Sequence, residues 1–337
     1  MYNRRAFLQT TGVAVMSLFS GEDAMNAETT QGKIQTVLGT ISAEKFGRVL
    51  PHEHVMVDFI GADKVSASRY NAEEVFQTLL PYLKAAKAEG IESFVECTPN
   101  FLGRDVRLLE RLAKATGLNI LTNTGLYQGK YLPDFAQTED ADTLAARWIK
   151  EAKEGIDGTK IRPGFIKIAV NPGNLLPIQK KIVQAAARTS KKTGLTIACH
   201  TGHGVAALET LDVLRTEGLP LSKYIFVHAD SEPDMKYHFE VARAGGWVEY
   251  DAIGWKPIPE HVKLITRFLA EGLEDRLLIS HDAGWYHVGE PKGGTIQPFT
   301  PLMQKLLPLL EKEGLKPETR DKLLVTNPRK AFTIGTH

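Results

Sequence analysis

The sequence predicts a (β/α)8 barrel built from one domain, and three observations lead there. Eight short apolar, β-branched runs alternate with longer amphipathic stretches. The runs are apolar along their whole length, as parallel strands covered on both faces are. Eight such strands are what closes a barrel, and 337 residues suit one barrel with its loops. A doubly wound open sheet is the alternative. No Gly-rich fingerprint follows the first run, which counts against a dinucleotide fold.

The strands are expected at residues 48–54, 93–98, 119–124, 164–170, 195–200, 224–229, 247–251 and 277–282. Helices are expected between them, for example over Ala72–Ala88 and Val106–Thr116 and over residues 175–193 and 205–217. Residues 283–298 are rich in glycine and polar residues and read as a long loop after the last strand, where such loops shape active sites. Helices over 301–313 and 317–332 would close the barrel.

The first residues differ from the rest. An Arg4-Arg5 pair, Phe7-Leu8 and a mildly apolar stretch from Gly12 to Phe19 read as a twin-arginine-type export signal. The stretch is too short to anchor stably in a bilayer. Residues 1–27 are therefore assigned to the signal and 28–337 to the barrel, which would work in the periplasm or outside the cell. Ala24 and Ala27 are candidate cleavage positions.

The chain is 43% hydrophobic and 24% charged, an ordinary globular balance, with a net charge of +1. That balance offers no bulk attraction for nucleic acid. Cys97 and Cys199 sit in apolar runs and read as free core thiols.

Barrels carry their chemistry at the C-terminal ends of the strands. His52 and His54 lie on the first strand, two residues apart and so on one face. His200 ends the fifth strand, His228 the sixth and Asp282 the eighth. Unpaired, such a set would carry a large desolvation cost, and a bound divalent metal removes it. Lys167 stands inside the apolar run GFIKIAV. It reads either as a lysine paired with a carboxylate, or as a neutral amine that takes up carbon dioxide to become a carbamate bridging two metals.

The pattern resembles the phosphotriesterase-like group of the amidohydrolase superfamily, nearest its phosphotriesterase-homology branch. His52-x-His54, Lys167, His200 in ACHTG, His228 in FVHAD and Asp282 in SHD match that group's six metal-ligand positions in order. Gly103-Arg104-Asp105, Thr124-Gly125-Leu126-Tyr127 and Thr326-Asn327-Pro328 agree as well. The resemblance implies two divalent ions, zinc foremost, with manganese or cobalt as alternatives. His52, His54 and Asp282 would hold the more buried ion and His200 and His228 the more exposed one. N6-carboxylated Lys167 and a hydroxide would bridge them. Asp282 would be the catalytic proton acceptor.

The resemblance has gaps. True phosphotriesterases relay a proton through a histidine and an aspartate at positions that correspond to Ala252 and Ser231. Lactonases of the group often carry an arginine at the position of Ala252, so the resemblance matches neither substrate pattern there. Tyr127, Tyr131, Trp255 and Trp285 are expected to line the mouth. Asp230 and Asp251 are expected to orient substrate or relay protons. His203 and His287 read as loop histidines. The expected function is hydrolysis of a small ester-type substrate, a lactone or carboxylic ester, with weak phosphotriesterase activity. The alternatives are a phosphodiester or C–N hydrolase, or an exported metal-binding protein without catalysis. A homodimer is implied by the resemblance alone.

Overall fold

The computed structural model describes residues 32–335. The export signal assigned to 1–27 lies outside them. A hairpin of β1 (Lys33–Thr36) and β2 (Gly39–Ser42) comes first. Then follow β3 (Val49–Val57), α1 (Ala72–Ala88), β4 (Ser93–Glu96), α2 (Val106–Thr116), β5 (Asn119–Leu121) and β6 (Asn123–Thr124). The short α3 (Phe135–Thr138) and α4 (Ala141–Glu154) lead to β7 (Phe165–Ala169), α5 (Pro177–Thr193), β8 (Ile197–His200) and α6 (Gly204–Thr216). Next come β9 (Tyr224–Val227), α7 (Met235–Arg243), β10 (Trp247–Tyr250), α8 (Ile258–Leu269), β11 (Leu277–Ile279) and β12 (Gly284–His287). The chain ends with α9 (Leu307–Lys312), α10 (Pro317–Asp321) and α11 (Asn327–Phe332). Among the described residues, no helix is long and apolar enough to cross a membrane.

All pairings from β3 round to β11 are parallel, in the order β3-β4-β5 and β6-β7-β8-β9-β10-β11. β5 and β6 are one predicted run interrupted at Thr122, whose carbonyl accepts from Gly164 N at 2.7 Å. The seam between the eighth strand and the first is closed by Asp282 N–H to the His52 carbonyl, 3.0 Å, and His54 N–H to the Ala283 carbonyl, 2.8 Å. The expected (β/α)8 order of elements is therefore present.

Two apolar clusters flank the strands. Val95, Cys97, Leu121, Phe165, Ala198, Ile225 and Leu278 fill the interior, plugged from below by Ile34, Phe46 and Phe332. The alternate residues, such as Phe94, Ile166, Cys199 and Phe226, meet the helices. The two cysteines thus face opposite sides of the strands, both buried and free. Helix ends follow local chemistry. Asp105 caps α2 by accepting from Arg107 N and Leu108 N, and Gly117 ends it in the left-handed region.

Two expectations needed correction. Residues 283–298 are not a plain loop, because β12 lies in them and pairs parallel with β3, Gly284 beside His54. A Cβ at Gly284 would lie 1.8 Å from the His54 carbonyl, so only glycine admits this approach. The two last helices are not continuous α-helix. Each contains a π-helical turn, Leu302–Leu306 and Lys322–Thr326, running into Pro308 and Pro328. Those prolines have no N–H for the regular ladder.

Candidate metal centre

β3 does not place its histidines by simple alternation. Leu50 packs with the outer shell while Val49 faces the interior, and the pairing with β4 shifts register between Leu50 and Glu53. A bulge of this kind re-aims side chains, here turning both imidazoles inward. Lys167 follows Phe165 on the inner face of β7, and His200 follows Ala198 on β8. His228 and Asp282 stand just past shortened strands, in the left-handed region at φ 60° and 51°. Non-glycine residues adopt it sparingly, and such strain collects at functional sites.

All six predicted ligands come together. His54 Nε2 is 3.0 Å and His52 Nε2 3.6 Å from Asp282 Oδ1. His228 Nε2 is 2.8 Å from His200 Nδ1. Lys167 Nζ is 3.1 Å from His52 Nε2, and among the described residues it forms no ion pair. The reading of Lys167 as a lysine neutralised by a carboxylate therefore finds no partner.

The outward ring nitrogens are held from behind. His52 Nδ1 meets Glu249 Oε1 at 2.7 Å and Asp251 Oδ2 at 3.3 Å. His228 Nδ1 donates to Asp251 Oδ1 at 2.7 Å, and His54 Nδ1 lies 2.8 Å from Thr98 Oγ1. A proton kept on Nδ1 leaves Nε2 as a lone pair aimed inward. Burial, with the Lys167 charge, pushes His52 down to about 3, and burial holds His54 and His200 well below the usual imidazole range. At neutral pH these three are neutral bases. For His228 burial acts the same way, but Asp251 outweighs it and the net shift is upward. Burial also opposes the charge on Asp251, and His228 and His52 together hold its carboxyl well below the usual range. Asp282 is pushed up to about 6, chiefly by burial.

This donor set fits metal. Asp282 Oδ1 receives no hydrogen bond although it is buried, and it faces the His54 lone pair. The Tyr127 hydroxyl, kept protonated because burial pushes its pKa up, lies 3.0 Å from His200 Nδ1. His200 Nδ1 and His228 Nε2 lie 2.8 Å apart on the inner side of the site. A buried, unpartnered carboxylate oxygen facing neutral imidazoles is the donor chemistry that a divalent cation satisfies.

The remaining predicted residues fall into two groups. Tyr127, Tyr131, Trp255 and Trp285 rim the site. Tyr127 packs edge-on to Tyr131 and to His200. Trp285 lies 4.2 Å from His54 between ring centroids and stacks with Phe59 and His287. The Trp255 and Trp285 indole N–H groups both donate to the Asp282 carbonyl. Asp251 and Asp230 lie behind this wall with buried side chains. Asp251 is taken up by His228 and His52. Asp230 Oδ2 accepts from Ala252 N at 2.8 Å and contacts His261 Nε2 at 2.9 Å. His203 Nδ1 accepts from Gly173 N at 3.2 Å.

Sequence reasoning missed Glu249, Thr98 and Phe59. Glu249 left one signal, an acid inside the apolar strand WVEY and two residues before Asp251, hence on the same face.

Known proteins place the chain. The model of the phosphotriesterase family matches residues 32–332. An aryldialkylphosphatase of Saccharolobus solfataricus is 28% identical over 87% of this chain and 97% of its own. An N-acetyltaurine hydrolase of Rattus norvegicus is 30% identical over 90% and 98%. The structure of an organophosphorus hydrolase from Deinococcus radiodurans superposes with a TM-score of 0.82 at 29% identity, over 90% of this chain and 97% of that one. The chain belongs to the phosphotriesterase family of the amidohydrolase superfamily and is a metal-dependent hydrolase.

Proposed function

We propose that the chain hydrolyses lactones or related carboxylic esters, with phosphotriesters as weaker substrates. The observation that carries this reading is the seat of Asp282. It stands between the imidazoles and the aromatic wall, and Ala252, whose N–H is bound to Asp230, corresponds by the resemblance to the position of the relay histidine. His52, His54 and Asp282 would hold one divalent ion, zinc foremost, and His200 and His228 a second, with carboxylated Lys167 shared between them. Bound there, the ions would supply an activated water near neutral pH and polarise the acyl oxygen.

The protein's own part is proton handling and shape. The Asp282 carboxylate takes a proton as water adds to the acyl carbon. It returns that proton to the alkoxide as the C–O bond breaks. In a lactone the alkoxide stays tethered, within reach of the same carboxyl, so no relay to solvent is needed. An aryloxide leaving a phosphorus centre needs no proton, so Asp282 would have to discharge to bulk water. No histidine at position 252 assists it. Phe59, Tyr131, Trp255 and Trp285 offer an apolar wall to the acyl part.

A second reading, hydrolysis of an N-acyl amide, is favoured by the similarity to the rat N-acetyltaurine hydrolase. An amine also leaves with a proton. The exposed Lys130 ammonium, 5.3 Å from the Tyr131 ring centroid, offers a cation to an anionic leaving half.

Protein loaded with zinc, manganese or cobalt in bicarbonate should bind about two ions per chain. It should show its highest kcat/KM on lactones in a panel with aryl esters, phosphotriesters and N-acyl amides. Lys167→Ala should lose activity, and a short carboxylic acid should restore part of it. Faster turnover of the amides would replace the first reading with the second. Failure of the acid to restore Lys167→Ala with metal bound would remove the bridging role.

A further inference from the structure

We propose that Glu53, the middle residue of the His-Glu-His run, is the positioning residue that holds Asp282 to His52 and His54. It points away from both imidazoles and is fully buried. Its carboxylate takes four donors from the chain on either side of Asp282. Oε1 accepts from Ser280 Oγ at 2.8 Å, His281 N at 3.1 Å and His281 Nδ1 at 2.6 Å. Oε2 accepts from Ala283 N at 2.9 Å. The roles are unambiguous at His281, because its Nε2 accepts from Leu302 N at 2.9 Å and so the ring proton is on Nδ1.

The same two strands are tied again at the ligands. Ser280 Oγ accepts from His52 N at 3.0 Å. Asp282 N–H and His54 N–H then bond to carbonyls across the seam. Glu53 therefore grips residues 280, 281 and 283, and between them Asp282 is held at φ 51°. Without that grip the segment is free to relax out of the left-handed region, which would swing the carboxylate away from His54. The sequence spacing matters here. The residue between two inward-facing ligands faces outward, where it reaches the segment that follows β11. His200 and His228 share no hydrogen bond with Glu53 among the described residues.

The proposal rests on the metal-ligand reading, and the experiment separates the two. Glu53→Gln keeps the shape but replaces one acceptor oxygen with an N–H2 group that cannot accept from its donors. The full chain would be loaded with cobalt, and release to a chelator followed by the cobalt spectrum. In the folded variant, release should become biphasic. One ion should leave about tenfold or more faster, and the other at the wild-type rate. The kcat should fall with KM nearly unchanged. A barrel that is merely loosened would release both ions faster by the same factor, and that result, or wild-type release of both, would overturn the proposal. Should Glu53→Gln not fold, His281→Asn trims the same grip from the other side and must give the same one-ion effect in smaller size. Wild-type protein that never takes up two ions would instead overturn the ligand reading itself.

Discussion

Glu249→Gln should weaken the ion held by His52 about tenfold, and the size follows from the contact it alters. Glu249 Oε1 lies 2.7 Å from His52 Nδ1, and both side chains are 1% exposed. Hydrogen bonds to a charged group contribute about 1.5–3 kcal/mol and neutral ones about 0.5–1.5 kcal/mol, so the exchange costs about 1–1.5 kcal/mol. At about 1.4 kcal/mol per tenfold, that is a factor of about ten. Asp251 Oδ2, 3.3 Å from the same nitrogen, remains as a partial substitute and keeps the loss at the low end of the ~10–100-fold range for such partners. Burial, then the Asp251 charge, pushes Glu249 well above the carboxylate range in the metal-free protein. The charged acceptor is thus more available at high pH, and the gap between wild type and variant should be wider at about pH 9 than at about pH 7. Competition with a chromophoric chelator, read as ions bound against free metal, measures it. An equal gap at both pH values would refute the argument. A loss well beyond ~100-fold would refute it differently, by making Glu249 a direct ligand.

Three further outcomes follow from named contacts. Trp255→Phe and Trp285→Phe each leave the Asp282 carbonyl one indole donor, so each alone should change kcat little, while the double variant should fall below the product of the singles by about 0.5–1.5 kcal/mol in a double-mutant cycle. Strict additivity would show that the indoles do not share that carbonyl in catalysis. Glu96 is pushed up from 4.5 to about 7, chiefly by burial, with Thr98, Val55 and Arg104 opposing. The folded state keeps a proton that the unfolded chain releases, so stability should fall by about 3 kcal/mol as pH rises from about 4.5 to about 7, and denaturation of Glu96→Gln should lack that slope. Arg4→Lys with Arg5→Lys should leave the protein in the cytoplasm on cell fractionation if residues 1–27 direct twin-arginine export, and unchanged export would refute that assignment.

The ligands were legible because each interrupts an apolar run at a strand end, a local signal that needs no partner. Their supports were not. Glu249 is 197 residues from His52 in sequence, and Glu53 is 228 from His281, so neither contact leaves a local pattern. The inward turn of His52 and His54 was expected from their spacing, yet the face they share depends on the register shift after Leu50, which alternation alone does not reveal. β12 was unreadable for another reason. Its GWYH begins with glycine and lacks an apolar run, and it is a strand because β3 extends to Val57 and offers a free edge there. Propensity yields to such pairing.

The fate of the relay positions joins these observations. The resemblance places a proton path at Ala252 and Ser231, and the aspartates nearest them have other work. Asp251 holds His228 and approaches His52, so it serves the ligands. Asp230 binds Ala252 N and His261, and its carbonyl accepts from Lys256 Nζ at 2.6 Å, so it fastens the segment that carries Trp255. Trp255 in turn donates to the carbonyl of Asp282. The carboxylates beside the relay positions are therefore committed to the geometry of the ligands and of the aromatic wall. A site arranged this way suits a reaction whose proton leaves with the product, which is the physical ground for placing a lactone ahead of a phosphotriester.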